Sequence, residues 1–134
     1  MKNKKLILYI HGWNSFAGAR KALLLQDMLK NNSDFEVASI TLDSHPRHAI
    51  NQLEKIIEKE IKTRKVNLIG SSLGGYYATF LSEKYDLKAA MINPAVSAYK
   101  IFKNDMGINI NPNTKEEYII AVSYTHLTLP TILL

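Results

Sequence analysis

Gly70, Ser72 and Gly74 stand in a Gly-x-Ser-x-Gly spacing, a pattern that chance places in a chain of this size about one time in twenty at ordinary composition. The chemistry such a spacing serves is attack by a serine hydroxyl on an acyl carbon. The glycines answer local crowding: a serine held in a strained turn between a strand and a helix leaves no room for side chains at the flanking positions. Val66-Asn67-Leu68-Ile69 reads as the strand and Leu73 onward as the helix, so the turn presents the Ser72 hydroxyl above the sheet. The helix start turns backbone N–H groups and a positive dipole end toward the same point, where an oxyanion is stabilised. The N–H of Leu73 is the first donor, and Gly75 continues the small-residue support. A phosphate-cradling loop is the weaker reading, because no lysine follows the second glycine and the G-x-G-x-x-G spacing is absent.

His11-Gly12-Trp13 follows directly on another apolar run, Leu6-Ile7-Leu8-Tyr9-Ile10. At the carboxyl end of a strand, Gly12 lets the backbone approach a substrate closely. The N–H of Trp13 is then the second oxyanion donor, with Asn14 the next choice. His11 reads as a residue that shapes this loop. Acyl-transfer sites built on such a turn run nucleophile, acid, base along the chain, and His11 precedes Ser72. So do His45 and His48, which read as solvated residues of the loop after the second strand.

The elements that must position these residues follow from hydrophobic period. Strands are expected at residues 6–10, 37–42, 66–69 and 89–92. A helix over 19–30 carries Ala22, Leu25, Met28 and Leu29 at helical spacing. A helix over about 47–63 carries the stripe Ile50, Leu53, Ile57 and Ile61, and a third runs to about Tyr85. Strands alternating with helices predict an α/β fold, a parallel sheet with right-handed crossovers whose ligands bind beyond the carboxyl ends of the strands. Residues 95–103 read as a short helix and the Asn-rich stretch 104–114 as a loop.

The 134 residues amount to one domain, 46% hydrophobic and 22% charged, without the signature of disorder. With no cysteine there is no disulfide framework and no thiolate metal site; neither metal nor cofactor is expected. The apolar start is too short for a signal peptide and no run approaches a bilayer span, so the expected setting is the cytoplasm, without membrane association. The net charge of +5 comes from lysines and arginines spread over several segments, which argues against nucleic acid as the partner. The sequence carries no signal for an oligomeric state.

With Tyr9-Ile10-His11-Gly12-Trp13-Asn14-Ser15, Gly70-Ser71-Ser72-Leu73-Gly74-Gly75-Tyr76-Tyr77-Ala78-Thr79 and Ile92-Asn93-Pro94-Ala95-Val96 in view, the chain resembles the bacterial YqiA/YcfP-type family of small esterases, single-domain α/β-hydrolases without a large lid. The resemblance runs over about residues 6–120. This chain has Trp13 where the family usually has Phe, and Asn113-Thr114-Lys115 where the family has Tyr-Thr-Gly. The resemblance implies an α/β-hydrolase fold and hydrolysis of a small acyl ester through an acyl-enzyme on Ser72, with Leu73 and Trp13 N–H holding the oxyanion.

That mechanism needs an acid and a histidine base after the nucleophile. His126 is the sole histidine after Ser72; Asp86 and Asp105 are acids at hand, neither following a predicted strand as the acid should, and a native tail with His126 as base would leave Asp105, Glu116 or Glu117 as the acid. Residues 118–134 contain no Asp, Glu, Lys or Arg, an outcome of about one in a hundred at ordinary composition. Residues 122–131 match a translated sequencing-library adapter. The expectation is therefore a partial hydrolase domain over 1–121, incomplete at its C-terminus, and a non-native tail over 122–134. The acid and base would be absent, the activity mostly lost and an apolar sheet edge uncovered. In the competing reading the tail is native and His126 is the base. The non-enzymatic alternative is an α/β-hydrolase-like module that binds a ligand at the same rim.

Overall fold

Leu6, Leu8 and Ile10 point to one side of the first strand and are almost fully buried, and this two-residue period builds the centre of the molecule. In the computed structural model, residues 3–93 and the strand backbones at 107–110 and 117–120 are described. The first part runs β1 (Lys5–Ile10), α1 (Arg20–Leu29), β2 (Phe35–Ser39), α2 (Pro46–Glu60), β3 (Val66–Ser71), α3 (Leu73–Tyr85) and β4 (Ala89–Ile92). The four strands are parallel in the order β2-β1-β3-β4. Right-handed crossovers require α1, which returns leftward to β2, to lie on one face, and α2 and α3, which step rightward, on the other. An antiparallel pair, β5 (Gly107–Ile110) with β6 (Glu117–Ile120), follows.

The main core lies between the sheet and the face carrying α2 and α3. Leu6, Leu8, Ile10, Val66 and Leu68 meet Ile50, Leu53 and Ile57 of α2 and Leu73, Tyr77, Ala78 and Leu81 of α3. Burying each large aliphatic chain contributes about 1.5–3 kcal/mol. Pro46 occupies the first turn of α2, where its missing N–H is no loss, and the His45 ring accepts the Arg47 N–H at 3.2 Å as the cap. At the other end of α3, Asp86 takes a left-handed conformation (φ 53°) while Leu87 N–H returns to the Ser82 carbonyl at 3.0 Å, which closes the helix. Among the described residues no helix is long and apolar enough to cross a membrane.

Several sequence expectations shift. The second strand ends at Ser39, not at Leu42, because the β1 ladder ends with Tyr9 opposite Ser39 and the next segment is claimed by other partners. Thr41 Oγ1 accepts the Ala17 N–H at 3.0 Å, and the Leu42 N–H donates to His11 Nε2 at 2.8 Å. Ile61 lies past the end of α2 and is exposed. On α1 only Ala22 is fully buried, and Met28 is 69% exposed, since α1 is the only described helix on its face. Residues 107–110, expected as loop, pair as β5: Ile108 and Ile110 alternate with Asn109, a strand period that the Asn-rich composition hides. The proposed helix at 95–103 and the tail at 122–134 lie outside the described residues.

Two stability experiments test this packing. Leu53→Ala should lower unfolding stability by about 2–5 kcal/mol through the cavity it leaves, whereas Met28→Ala should stay within about 0.5 kcal/mol, both read by urea unfolding. A second set uses pH. Burial lowers the pKa of His11 below the ordinary 6.5, against a smaller upward effect of its bond to Gly12. The unfolded chain therefore takes up the proton first as pH falls, so this stabilisation is complete above about pH 6.5 and lost below it. The urea midpoint should drop between pH 7 and pH 5, and His11→Gln should flatten that drop; an unchanged slope would refute the assignment.

Candidate active site

Ser72 joins the last residue of β3 to the first of α3, and its backbone is forced to φ 55°, ψ −118°. A non-glycine residue there stores roughly 1–3 kcal/mol of strain. Both sides of the peptide are tied down: Ser72 N–H donates to the Ile92 carbonyl at 3.0 Å, and the Ser72 carbonyl accepts from Gly75 N–H at 3.0 Å and Tyr76 N–H at 3.4 Å. Ser72 is exposed between two buried neighbours, Ser71 and Leu73. Its hydroxyl has no hydrogen-bond partner among the described residues, so it stands at the surface of the sheet's carboxyl end.

The two flanking glycines are where this turn demands them. A Cβ on Gly70 would lie 2.1 Å from the Gly74 carbonyl oxygen, and one on Gly74 would lie 2.0 Å from the Ile10 oxygen and 2.6 Å from that of His11. Gly12 is different. A Cβ there would meet Ser72 Cβ at 3.4 Å and Ser72 Oγ at 3.9 Å, ordinary contacts. Gly12 thus keeps open the space beside the hydroxyl.

The loop after β1 is pinned by His11, which is 4% exposed. Its Nε2 accepts the Leu42 N–H, so Nδ1 carries the proton and donates to the Gly12 carbonyl at 2.6 Å. Both ring nitrogens are occupied, and the ring is a clip between the loops after β1 and β2. A tight turn follows, with Ser15 N–H on the Gly12 carbonyl at 3.2 Å and Asn14 in the left-handed region at φ 59°. Trp13 and Asn14 from this turn line one narrow cleft with Leu73. At the first positions of α3, the N–H groups of Leu73 and Gly74 have no acceptor within the helix.

Asp43 and Tyr77 complete that cleft, and sequence reasoning singled out neither for the site. The usable signal was topological: Asp43 follows β2, whose carboxyl end lies beside that of β1. Asp43 is itself held, its N–H on Gln52 Oε1 at 2.7 Å and its Oδ1 accepting the His45 N–H at 2.7 Å. Burial raises the Tyr77 pKa, with Tyr76 and Asp43 adding to the rise, so the phenol stays protonated. His45 is a half-buried helix cap and not a solvated loop residue; it stacks on His48 at 4.4 Å, and His48 Nδ1 lies 3.7 Å from Asp43 Oδ2. Burial lowers the His45 pKa, the neighbouring His48 lowers it further, and Asp43 opposes both.

No described residue makes a hydrogen bond to Ser72 Oγ. Asp86 is removed from consideration as the acid, since it caps the far end of a 13-residue helix, about 20 Å away at 1.5 Å per residue. Asp105, Glu116 and His126 lie outside the described residues, and Glu117 begins β6. Among the described residues no group of three or more His, Asp or Glu could hold a metal ion.

The clash distances set an experiment. Gly70→Ala and Gly74→Ala should abolish the folded state or its soluble yield, because each methyl meets rigid backbone. Gly12→Ala should fold with near-native circular dichroism and thermal midpoint. Equal behaviour of the three would contradict this geometry.

Comparison with known proteins gives a consistent picture. A UPF0227 protein of Citrobacter koseri is 29% identical over 100 residues, 71% of this chain and 53% of that relative; the chain spans about half the length of the curated relative it matches. Est1E from Butyrivibrio proteoclasticus, solved with ferulic acid bound, superposes with a TM-score of 0.67 at 15% identity, covering 94% of this chain and 61% of its own. Mouse alpha/beta hydrolase domain-containing protein 10 superposes with a TM-score of 0.60 at 18% identity over 90% of this chain and 59% of its own. The fold is that of the α/β-hydrolases. Residues 6–128 match the uncharacterised protein family UPF0227, and the chain belongs to that family.

Proposed function

We propose that the protein is a serine hydrolase of small acyl esters, with Ser72 as nucleophile. The observation that carries this reading is Ser72 itself: a strained, exposed serine whose hydroxyl has no partner among the described residues and whose neighbouring helix start offers N–H groups with no helical acceptor. Its hydroxyl oxygen would bond to the ester carbonyl carbon while a base takes the hydroxyl proton. The carbonyl oxygen would become an oxyanion held by the N–H groups of Leu73 and Trp13, a contribution of about 3–4 kcal/mol per donor in comparable sites. Collapse expels the alcohol, which receives the proton, and leaves an acyl group on Ser72. Water then attacks the acyl carbon and releases the acid.

In this reading the base and acid come from residues beyond the described ones, and neither His11 nor Asp86 serves. Loss of the histidine in a comparable triad lowers turnover about a millionfold, and the 134-residue chain alone is expected to be nearly silent. The experiment therefore uses this chain extended with the C-terminal remainder of the Citrobacter koseri relative. That protein should react with a fluorophosphonate probe and hydrolyse p-nitrophenyl butyrate, and Ser72→Ala should lose both by three orders of magnitude or more. A folded extended protein that does neither would leave the non-catalytic binding module as the better reading.

A further inference from the structure

A second crevice, of about 320 Å³, opens on the α1 side of Gly12. Tyr9 and Ser71 line it from the sheet, Gly12 and Ser15 from the loop after β1, and Arg20 and Lys21 from the start of α1. Neither cation has a carboxylate partner among the described residues. Their position is electrostatically unfavourable, since the first turn of a helix is its positive end. α1 has no acid in its first turn, and its cap residue Ala19 brings no side chain to the terminal N–H groups.

The inner wall of the crevice adds an independent observation. Tyr9 is 3% exposed and Ser71 9% exposed, and neither hydroxyl has a hydrogen-bond partner among the described residues. Both side chains line the same crevice as the two cations. Two cations, uncapped helix N–H groups and two unused hydroxyls form a donor set with one matching ligand chemistry, the oxygens of an anion. Gly12 forms a wall shared with the nucleophile: a Cβ there would lie in ordinary contact 3.9 Å from Ser72 Oγ.

We propose that this crevice binds a carboxylate or phosphate group carried by the substrate, so that the preferred esters are anionic. The proposal rests on the serine-hydrolase reading for its substrate but not for its ligand chemistry.

The test is direct binding of monoethyl glutarate, ethyl phosphate and neutral diethyl glutarate to the 134-residue chain, followed by NMR titration. At least one of the two anions should bind about tenfold or more tighter than the neutral diester, and the tighter one identifies the group. Arg20→Gln and Lys21→Gln, both exposed positions that should fold normally, should each weaken it about tenfold. Tyr9→Phe should weaken it severalfold, and raising salt from 50 to 500 mM should do likewise. Equal binding of anions and diester, or wild-type affinity in both cation variants, overturns the proposal and leaves the serine reading to its labelling experiment. Charge-dependent binding in a protein that fails the fluorophosphonate test would instead keep the anion site and overturn the hydrolase reading.

Discussion

The first turn of α3 lies so close to the end of β1 that only a hydrogen atom separates the Gly74 Cα from the Ile10 and His11 carbonyls. Much of the site depends on that approach. Serine is among the preferred helix N-cap residues, and its hydroxyl ordinarily accepts a hydrogen bond from an N–H of the first turn. Ser72 occupies the N-cap of α3 yet makes no such bond, because the tight approach forces its backbone into a region where the side chain is aimed outward. The strain thus has a chemical consequence. It leaves both the hydroxyl and the first helical N–H groups unspent, each of which an ordinary cap would have consumed.

Strain of this size persists only where the surroundings over-determine it, and α3 supplies that. From Leu73 through Ala78 every residue is buried, and Leu81 closes the core below. Relaxing Ser72 would move the start of this helix out of contact with β1 and β3. The local cost is set against the packing of a whole helix, which is larger. His11 does the corresponding work for the other loop: a single neutral ring fixes the distance between the segments after β1 and β2, and so places Gly12 and Trp13 beside Ser72.

Legibility in the sequence followed the range of the interactions. Gly70, Ser72 and Gly74 were readable because their spacing is local and strand and helix periods bracket them, although the approach of Gly74 to the Ile10 and His11 carbonyls, which also demands a glycine there, is long-range and was not. β1, β3, β4 and α2 were readable from apolar spacing. The exposure of Met28 and Ile61 was not, since period alone does not say whether a partner covers each position. Asp43 and Tyr77, and the grouping of Tyr9 and Ser71 with Arg20 and Lys21, were invisible for a different reason. They converge only through the strand order β2-β1-β3, which sets residues 30 to 60 positions apart in the chain beside one another. The end of β2 failed in the same way, because the rival claimant for the Leu42 N–H is a histidine 31 residues away.

The same distribution of contacts bears on how the catalytic groups would divide. The conformation of Ser72 is imposed by hydrogen bonds to Ile92, Gly75 and Tyr76 and by backbone packing on Ile10, all within the described residues 3–93. None of it depends on a hydrogen bond from a base to the hydroxyl. In the hydrolase reading, nucleophile and oxyanion donors are therefore prepared by the fold of β1, β3 and α3, while base and acid are carried on separate loops and add reactivity to a geometry that already exists. Strain at the elbow is then a property of the sheet–helix junction and not of the triad, and the conformation of Ser72 does not require a base bonded to its hydroxyl.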